Sequence, residues 1–194
     1  MTAVVVVLDR SLSMPMNGLF WAARERAREV IEALGSPEGP DHLHAVVTFG
    51  ARASLLPPSQ VKELEWDHDY GSNLEAALKA TRDSLDGEPA RLLLFSDLFA
   101  DAHTGDDGQV VFSSPPAQDT LDRTVDAIRD CEAAQLTIDA VRYRSGEPYD
   151  EDQWRVVSLI GDAILTAGGT VEDTFIADAV DRGGTPDPPW RYSG

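Results

Sequence analysis

Ala3-Val4-Val5-Val6-Val7-Leu8, followed at once by Asp9-Arg10-Ser11-Leu12-Ser13, is the stretch on which the reading of this chain turns. An unbroken apolar run rich in β-branched valine, with no polar alternation, predicts a strand buried on both faces, as in a parallel sheet covered by helices. The run stops at a carboxylate, at the strand end where open α/β sheets bind ligands. Residues two apart in an extended segment present their side chains to the same side. Asp9, Ser11 and Ser13 can therefore converge on one point. Ser13 has a second use open to it, as the N-cap of a helix starting shortly after.

Working outward, strands and helices alternate. Leu19, Ala22, Ala23, Ala27, Val30, Ile31 and Leu34 recur at helical spacing, with Arg24, Glu25, Arg28, Glu29 and Glu32 turned outward and Gly35 and Pro37 closing the helix. Strands are expected over His42–Phe49 and over Arg52–Leu56, the latter an edge strand stopped by Pro57 and Pro58. A helix over Asn73–Leu85 leads to a second fully buried strand, Arg91–Ser96, whose run again ends at an aspartate, Asp97. Leu98–Ala117 reads as a long loop, Gln118–Ala134 as helix, Leu136–Tyr143 as strand and Asp150–Ala167 as helix. Val171 marks a short strand, Phe175–Val180 a last helical turn, and Gly183–Gly194 a Gly/Pro-rich flexible tail. The fold class expected is α/β: a mostly parallel sheet of about six strands, one short antiparallel edge strand, and helices on both faces. Residues 1–182 form the domain and 183–194 the tail.

Composition narrows the function. The 194 residues carry 16 Lys+Arg against 34 Asp+Glu, a net charge of −18, which repels the phosphates of nucleic acids and anionic membrane surfaces. Only Lys62 and Lys79 are lysines, so the basic side chains are nearly all arginine. One cysteine, Cys131, excludes an internal disulfide and a Cys-rich zinc site. No apolar run approaches the ~20 residues of a membrane helix, and no basic segment precedes Val4–Leu8 as in a signal peptide. The expected location is cytoplasmic.

Three segments place oxygen donors at one sheet edge: Asp9-x-Ser11-x-Ser13, Gly71-Ser72-Asn73 before a helix, and Ser96-Asp97. Carboxylates and hydroxyls without His or Cys suit Mg²⁺, Mn²⁺ or Ca²⁺ rather than zinc or copper. Other chemistries lack their residues. A phosphatase with an aspartate nucleophile after the first strand needs a second Asp where Ser11 stands. No Gly-x-Ser-x-Gly, Gly-x-Gly-x-x-Gly or Gly-x-x-x-x-Gly-Lys is present.

Here the chain resembles the von Willebrand factor type A (vWA) domains with a metal-ion-dependent adhesion site. Val4–Met14 resembles that family's first strand and its Asp-x-Ser-x-Ser motif, Tyr70–Leu78 its second loop, and Leu92–Asp97 its third element. The resemblance implies a Rossmann-like fold and a divalent ion, Mg²⁺ or Mn²⁺ before Ca²⁺, held directly or through water by Asp9, Ser11, Ser13, Ser72 and Asp97. It further implies a non-enzymatic protein-interaction module with one coordination position open to an Asp or Glu of a partner protein. Microbial relatives often work beside AAA+ ATPases, so an intracellular adaptor in a larger assembly is the expected setting. A metal-dependent phosphohydrolase and a degenerate scaffold without metal are the alternatives. Ser72 stands where the family usually has Thr, and Leu12 and Leu98 where Gly is common. Leu98 thus predicts a different path for the third loop, and Asp101, Asp106 and Asp107 predict negative charge crowding the site.

The remaining candidates read as structural. His42 and His44 lack a third zinc ligand and are expected on a strand surface, and Cys131 is expected to be buried and inert. Trp66 is expected to pack the loop that presents Ser72, and Met14 and Met16 to be packing or loop residues. Phe20-Trp21 is left between packing and partner contact.

Overall fold

The computed structural model describes residues 2–16, 18–35, 41–65, 70–146 and 149–176. Trp66 and residues 177–194 lie outside these, as does the Met16 side chain. The opening run is strand β1 (Thr2–Asp9), followed by a single turn α1 (Ser13–Met16), helix α2 (Leu19–Leu34), β2 (Asp41–Phe49), β3 (Ala53–Leu56) and a 3-10 turn at Pro58–Glu63. Then come α3 (Leu74–Ser84), β4 (Ala90–Ser96), β5 (Ala102–Thr104), β6 (Val110–Phe112), α4 (Gln118–Ala133), β7 (Leu136–Ser145), α5 (Glu151–Thr166) and β8 (Thr170–Ile176).

Six strands form one sheet in the order β3-β2-β1-β4-β7-β8. Only β3 runs antiparallel, as the edge strand the two prolines predict. Every residue of β1 from Ala3 to Asp9 is buried, because each face is covered. Val5 and Val7 point into the core shared with α3, α4 and α5, whereas Val6 and Leu8 meet Met14, Leu19 and Phe20 of α1 and α2. Burying a side chain of this size contributes about 1.5–3 kcal/mol, so this strand anchors both layers. Cys131, 1% exposed on α4, packs in the first core, and burial pushes its thiol up to about 11. The burial is as its sequence context suggests, and the raised value disfavours the reactive thiolate.

The register slips once, at β2. Val4 faces Leu43 but Val5 faces Ala45, leaving His44 as an extra residue in the strand. The bulge turns Leu43 and Ala45 to opposite cores; in a regular strand they would share a face. His44 is exposed and its Nε2 lies 2.8 Å from the Ser84 carbonyl, so no paired zinc face forms with His42.

Two segments differ from the sequence reading. Leu98–Ala117 is not plain loop: it contains the antiparallel hairpin β5-β6, closed by the turn Gly105–Gly108 and forming a separate two-stranded sheet. At the other end, Val171 belongs to a seven-residue parallel edge strand that includes Phe175 and Ile176, where a helical turn was expected. Residues 177–180 of that expected turn fall outside the described chain.

Candidate metal centre

The chain steps from β1 outward to β2 and β3, then returns across β1 to place β4 on its other side. The crossover direction therefore reverses between β1 and β4, and a crevice opens beyond their carboxyl ends. Leu8 pairs with Phe95, so the next residues, Asp9 and Ser96, stand side by side at the mouth. The Ser96 hydroxyl donates to Asp9 Oδ2 at 2.6 Å and accepts from the Leu98 amide at 2.9 Å. Asp9 Oδ1 accepts from the Ser11 amide at 2.8 Å, which folds the motif back over the strand end.

The Ser11 and Ser13 hydroxyls lie 3.1 Å apart, and Ser13 also bonds to the Asp97 side chain. Ser13 is the first residue of α1 rather than its cap, so its oxygen is committed to the cluster. Asp97 Oδ1 accepts from the Phe99 amide at 3.0 Å. Asp9, Ser11, Ser72 and Asp97 are all buried, none more than 2% exposed.

Ser72 arrives from the other direction. Asn73 caps α3, its Oδ1 accepting from the Ala76 amide at 2.9 Å. The loop before it is held against the hairpin: the Ser72 amide donates to Asp101 Oδ1 at 2.6 Å, and its carbonyl accepts from the Asp101 and Ala102 amides at 3.3 Å each. Asn73 Nδ2 reaches Thr104 Oγ1 at 3.1 Å. Thus β5-β6 is the clamp that places Ser72.

Two residues stand out that the sequence reading did not single out in these roles. Ser96 positions the Asp9 carboxylate. Of the three aspartates expected to crowd the site only Asp101 reaches it, since Asp106 pairs with Arg123 at 3.0 Å and Asp107 accepts from the Gln109 amide in the hairpin turn. Leu98 is also informative. It takes φ +61° and is 1% exposed, so a leucine holds the left-handed turn that glycine would supply freely. Leu98→Gly removes about 1–2 kcal/mol of backbone strain but also a buried leucine, a loss of about 2–5 kcal/mol. A net loss on the order of 2 kcal/mol is expected, read as a lower denaturation midpoint; a rise would mean that strain outweighs packing here.

Electrostatically the mouth is unbalanced. Burial, and then the Asp97 charge, raises Asp9 from its ordinary 3.8 to about 7. Burial raises Asp97 to about 6, and Asp101 likewise to about 6 with Asp97 adding to it. Among the described residues no basic side chain is one of the main groups acting on any of the three. Two buried carboxylates without a cation cost several kcal/mol when both are ionised. A divalent cation with hard-oxygen preference would cancel that cost, and the hydroxyls of Ser11, Ser13 and Ser72 suit the same ion. Among the described residues no three His, Cys, Asp or Glu side chains gather into a metal-holding group. Hydrogen bonds link Asp9, Ser11, Ser13 and Asp97 into one cluster of carboxylates and hydroxyls, and Ser72 is buried with its backbone tied to Asp101 beside it.

A vWA family described as Rv0959-like matches residues 2–164. The chain belongs to this vWA domain family. Among curated proteins none matches it significantly. Solved structures share the fold at low identity. The PilB minor pilin of Streptococcus sanguinis is 13% identical over 92% of this chain and 57% of its own, with a TM-score of 0.60. The manganese-loaded Plasmodium vivax TRAP protein is 14% identical over 84% of this chain and 73% of that one, with a TM-score of 0.52. The SpaC pilus adhesin of Lactobacillus rhamnosus GG, in its open conformation, is 12% identical over 89% and 28%, with a TM-score of 0.58. This vWA chain spans little more than half of the pilin and under a third of the adhesin. No helix among its described residues is long and apolar enough to cross a membrane.

Proposed function

We propose that this vWA domain is a divalent-cation-dependent protein-interaction module without enzymatic activity. The observation that carries the reading is the pair of buried carboxylates Asp9 and Asp97 at the switch point, with the Ser11 and Ser13 hydroxyls between them. Asp9, Ser11, Ser13, Ser72 and Asp97 would hold Mg²⁺ or Mn²⁺, directly or through water. The bound ion supplies a Lewis-acidic position that an Asp or Glu of a partner protein can fill. Two carboxylates match the ion's charge without saturating its coordination, so affinity for an external carboxylate survives. A cytoplasmic adaptor working beside an AAA+ ATPase is the setting we propose from the family resemblance.

The test is calorimetric titration of Mn²⁺ and Mg²⁺ into metal-stripped protein at moderate salt, where diffuse attraction to the negative surface is screened. One stoichiometric site is expected. Its binding should release protons at pH 6, where Asp9 is still largely protonated and Asp97 about half protonated, and almost none at pH 8. Only diffuse binding, unchanged in Asp97→Asn, would overturn the assignment.

A further inference from the structure

Several arginines away from the metal edge are neutralised by neighbours: Arg28 by Glu25 and Glu32, Arg82 by Asp130, Arg91 by Asp139, Arg123 by Asp106 and Asp119. At the carboxyl edge of the sheet Arg142 is neutralised by Asp173, Arg144 touches the same carboxylate only at 3.5 Å, and Arg10 and Arg52 have no ion pair among the described residues. Arg10, directly after Asp9, has no ion pair among the described residues, and its Nε is buried without a hydrogen-bond partner. Its amide donates to the Phe49 carbonyl at 2.6 Å, which sets it beside the turn that carries Arg52. Arg52 is exposed and likewise has no ion pair among the described residues. The same turn receives the Asn73 amide on the Gly50 carbonyl at 2.9 Å, so Arg52 flanks the Ser72 loop.

On the far side of β4, strand β7 overhangs. Ser96 pairs with Arg142, and Tyr143, Arg144 and Ser145 run on past it. Arg142 holds both oxygens of Asp173, at 2.5 and 2.8 Å, leaving Arg144 only a 3.5 Å contact with that carboxylate. Arg144 instead lies over the rings of Trp154 and Tyr149, 5.1 and 5.6 Å from their centroids. The buried Tyr149 hydroxyl has no hydrogen-bond partner, and both Asp97 and Arg144 act on it electrostatically. That places the stacked arginine in the neighbourhood of the metal edge.

In a chain of net charge −18, Arg10 and Arg52 stand without an ion pair among the described residues on one flank of a paired-carboxylate crevice, and Arg144, held by Asp173 only at 3.5 Å, stands on the other. We propose that Arg10, Arg52 and Arg144 form a cationic rim that receives the further carboxylates of an acidic protein segment, one of whose carboxylates completes the ion's coordination. The proposal rests on the metal-dependent reading above and names the partner's chemistry: a segment with several Asp or Glu residues. Stacking on Trp154 and Tyr149 holds Arg144 extended, which lowers the entropy lost when it grips a carboxylate. A protein segment is favoured over nucleic acid because a long polyanion would meet the negative surface beyond the rim.

The experiment is fluorescence anisotropy at moderate salt with three labelled probes: polyglutamate, a Gly/Ser peptide of equal length with a single Glu, and oligothymidylate of matching charge. Each is titrated with wild type, with the Arg52→Gln/Arg144→Gln double variant and with the corresponding lysine double variant, in Mn²⁺ and in EDTA. We expect polyglutamate to lose about tenfold in affinity in the glutamine variant and to regain most of it with lysine. The single-Glu peptide and the calorimetric Mn²⁺ titration should be unchanged. Polyglutamate binding that needs Mn²⁺ but ignores the arginines overturns the rim and leaves the metal reading standing. Binding that needs the arginines but survives EDTA keeps the rim and overturns the metal reading. Oligothymidylate bound as tightly as polyglutamate, or no polyglutamate binding at all, overturns the acidic-segment assignment.

Discussion

Asp9→Asn is expected to abolish the stoichiometric Mn²⁺ site and, without metal at pH 8, to raise the stability of the protein. The two effects have one cause. An asparagine keeps the shape, and its Oδ1 can accept from the Ser11 amide as Asp9 does at 2.8 Å. Its amide can donate to the Ser96 hydroxyl, which now donates to Asp9 and already accepts from Leu98, with a lone pair to spare. The Ser96 hydroxyl hydrogen loses its Asp9 acceptor, a loss of about 1 kcal/mol, but one of two mutually repelling buried charges disappears, which outweighs it. The sign with pH follows from the raised value of about 7 against an ordinary 3.8. Between these values the folded metal-free chain keeps a proton on Asp9 that the unfolded chain has released. Stability is therefore fully present below the lower value and is lost as pH rises through the upper one. Wild type should thus be less stable at pH 8 than at pH 5, and the variant should flatten that slope. A gain on the order of 2 kcal/mol at pH 8 corresponds to several degrees in midpoint, at ~2–4 °C per kcal/mol for a chain of this length. Saturating Mn²⁺ should reverse the order, adding about 2.7 kcal/mol at one hundred times Kd to the wild type alone. Thermal unfolding at both pH values, with and without Mn²⁺, checks all four corners. A variant that still gains stability from Mn²⁺, or that is the less stable at pH 8 without it, refutes the placement of Asp9.

What the sequence disclosed and what it hid follow from pattern length. β1 is buried from Ala3 onward, and β4, expected to be fully buried over Arg91–Ser96, is so except at the exposed Arg91 and the half-buried Leu93. Each still carries a continuous apolar run followed shortly by an aspartate. Asp9 and Asp97 were legible for that reason, and their adjacency followed from the switch-point rule. The hairpin was illegible because Ala102–Thr104 and Val110–Phe112 are three residues each, too short to display a period of two. In retrospect Gly105-Asp106-Asp107-Gly108 between two β-branched or aromatic stretches was its one signal. Without the hairpin, Asp101 could not be separated from Asp106 and Asp107. β8 was under-read for another reason: as an edge strand it is mostly exposed, and Thr170–Ile176 carries acidic and apolar residues in no strict alternation. Leu98 hid its own turn through identity. A glycine would have advertised the left-handed turn, yet the Ser96 hydroxyl and the buried leucine side chain impose the same turn from tertiary structure.

The hairpin's role makes Gly71→Ala the second large effect. Gly71 sits at φ +114°, and a Cβ there would lie 2.7 Å from the Ala102 Cβ, 3.6 Å from Phe112 and 3.8 Å from the Asp101 carboxylate. Ala102 cannot retreat easily, being fully buried and tied by its amide to the Ser72 carbonyl. The substitution therefore combines a backbone conformation that L-residues avoid, costing about 1–3 kcal/mol, with overpacking of about 1–3 kcal/mol. A total near 3 kcal/mol should show as a marked fall in denaturation midpoint. Relief of the clash must come from the loop, which carries Ser72 as its next residue, so Mn²⁺ affinity should fall about tenfold or more in the folded fraction. Pairing the change with Ala102→Gly separates the contributions. The double variant removes the steric contact but not the φ strain, so stability should return in part. Metal affinity should return nearly in full if the hairpin contact is what sets Ser72. Unchanged Mn²⁺ affinity in the single variant would mean that Ser72 is held by the Asn73 cap of α3 alone and that β5-β6 is not the clamp.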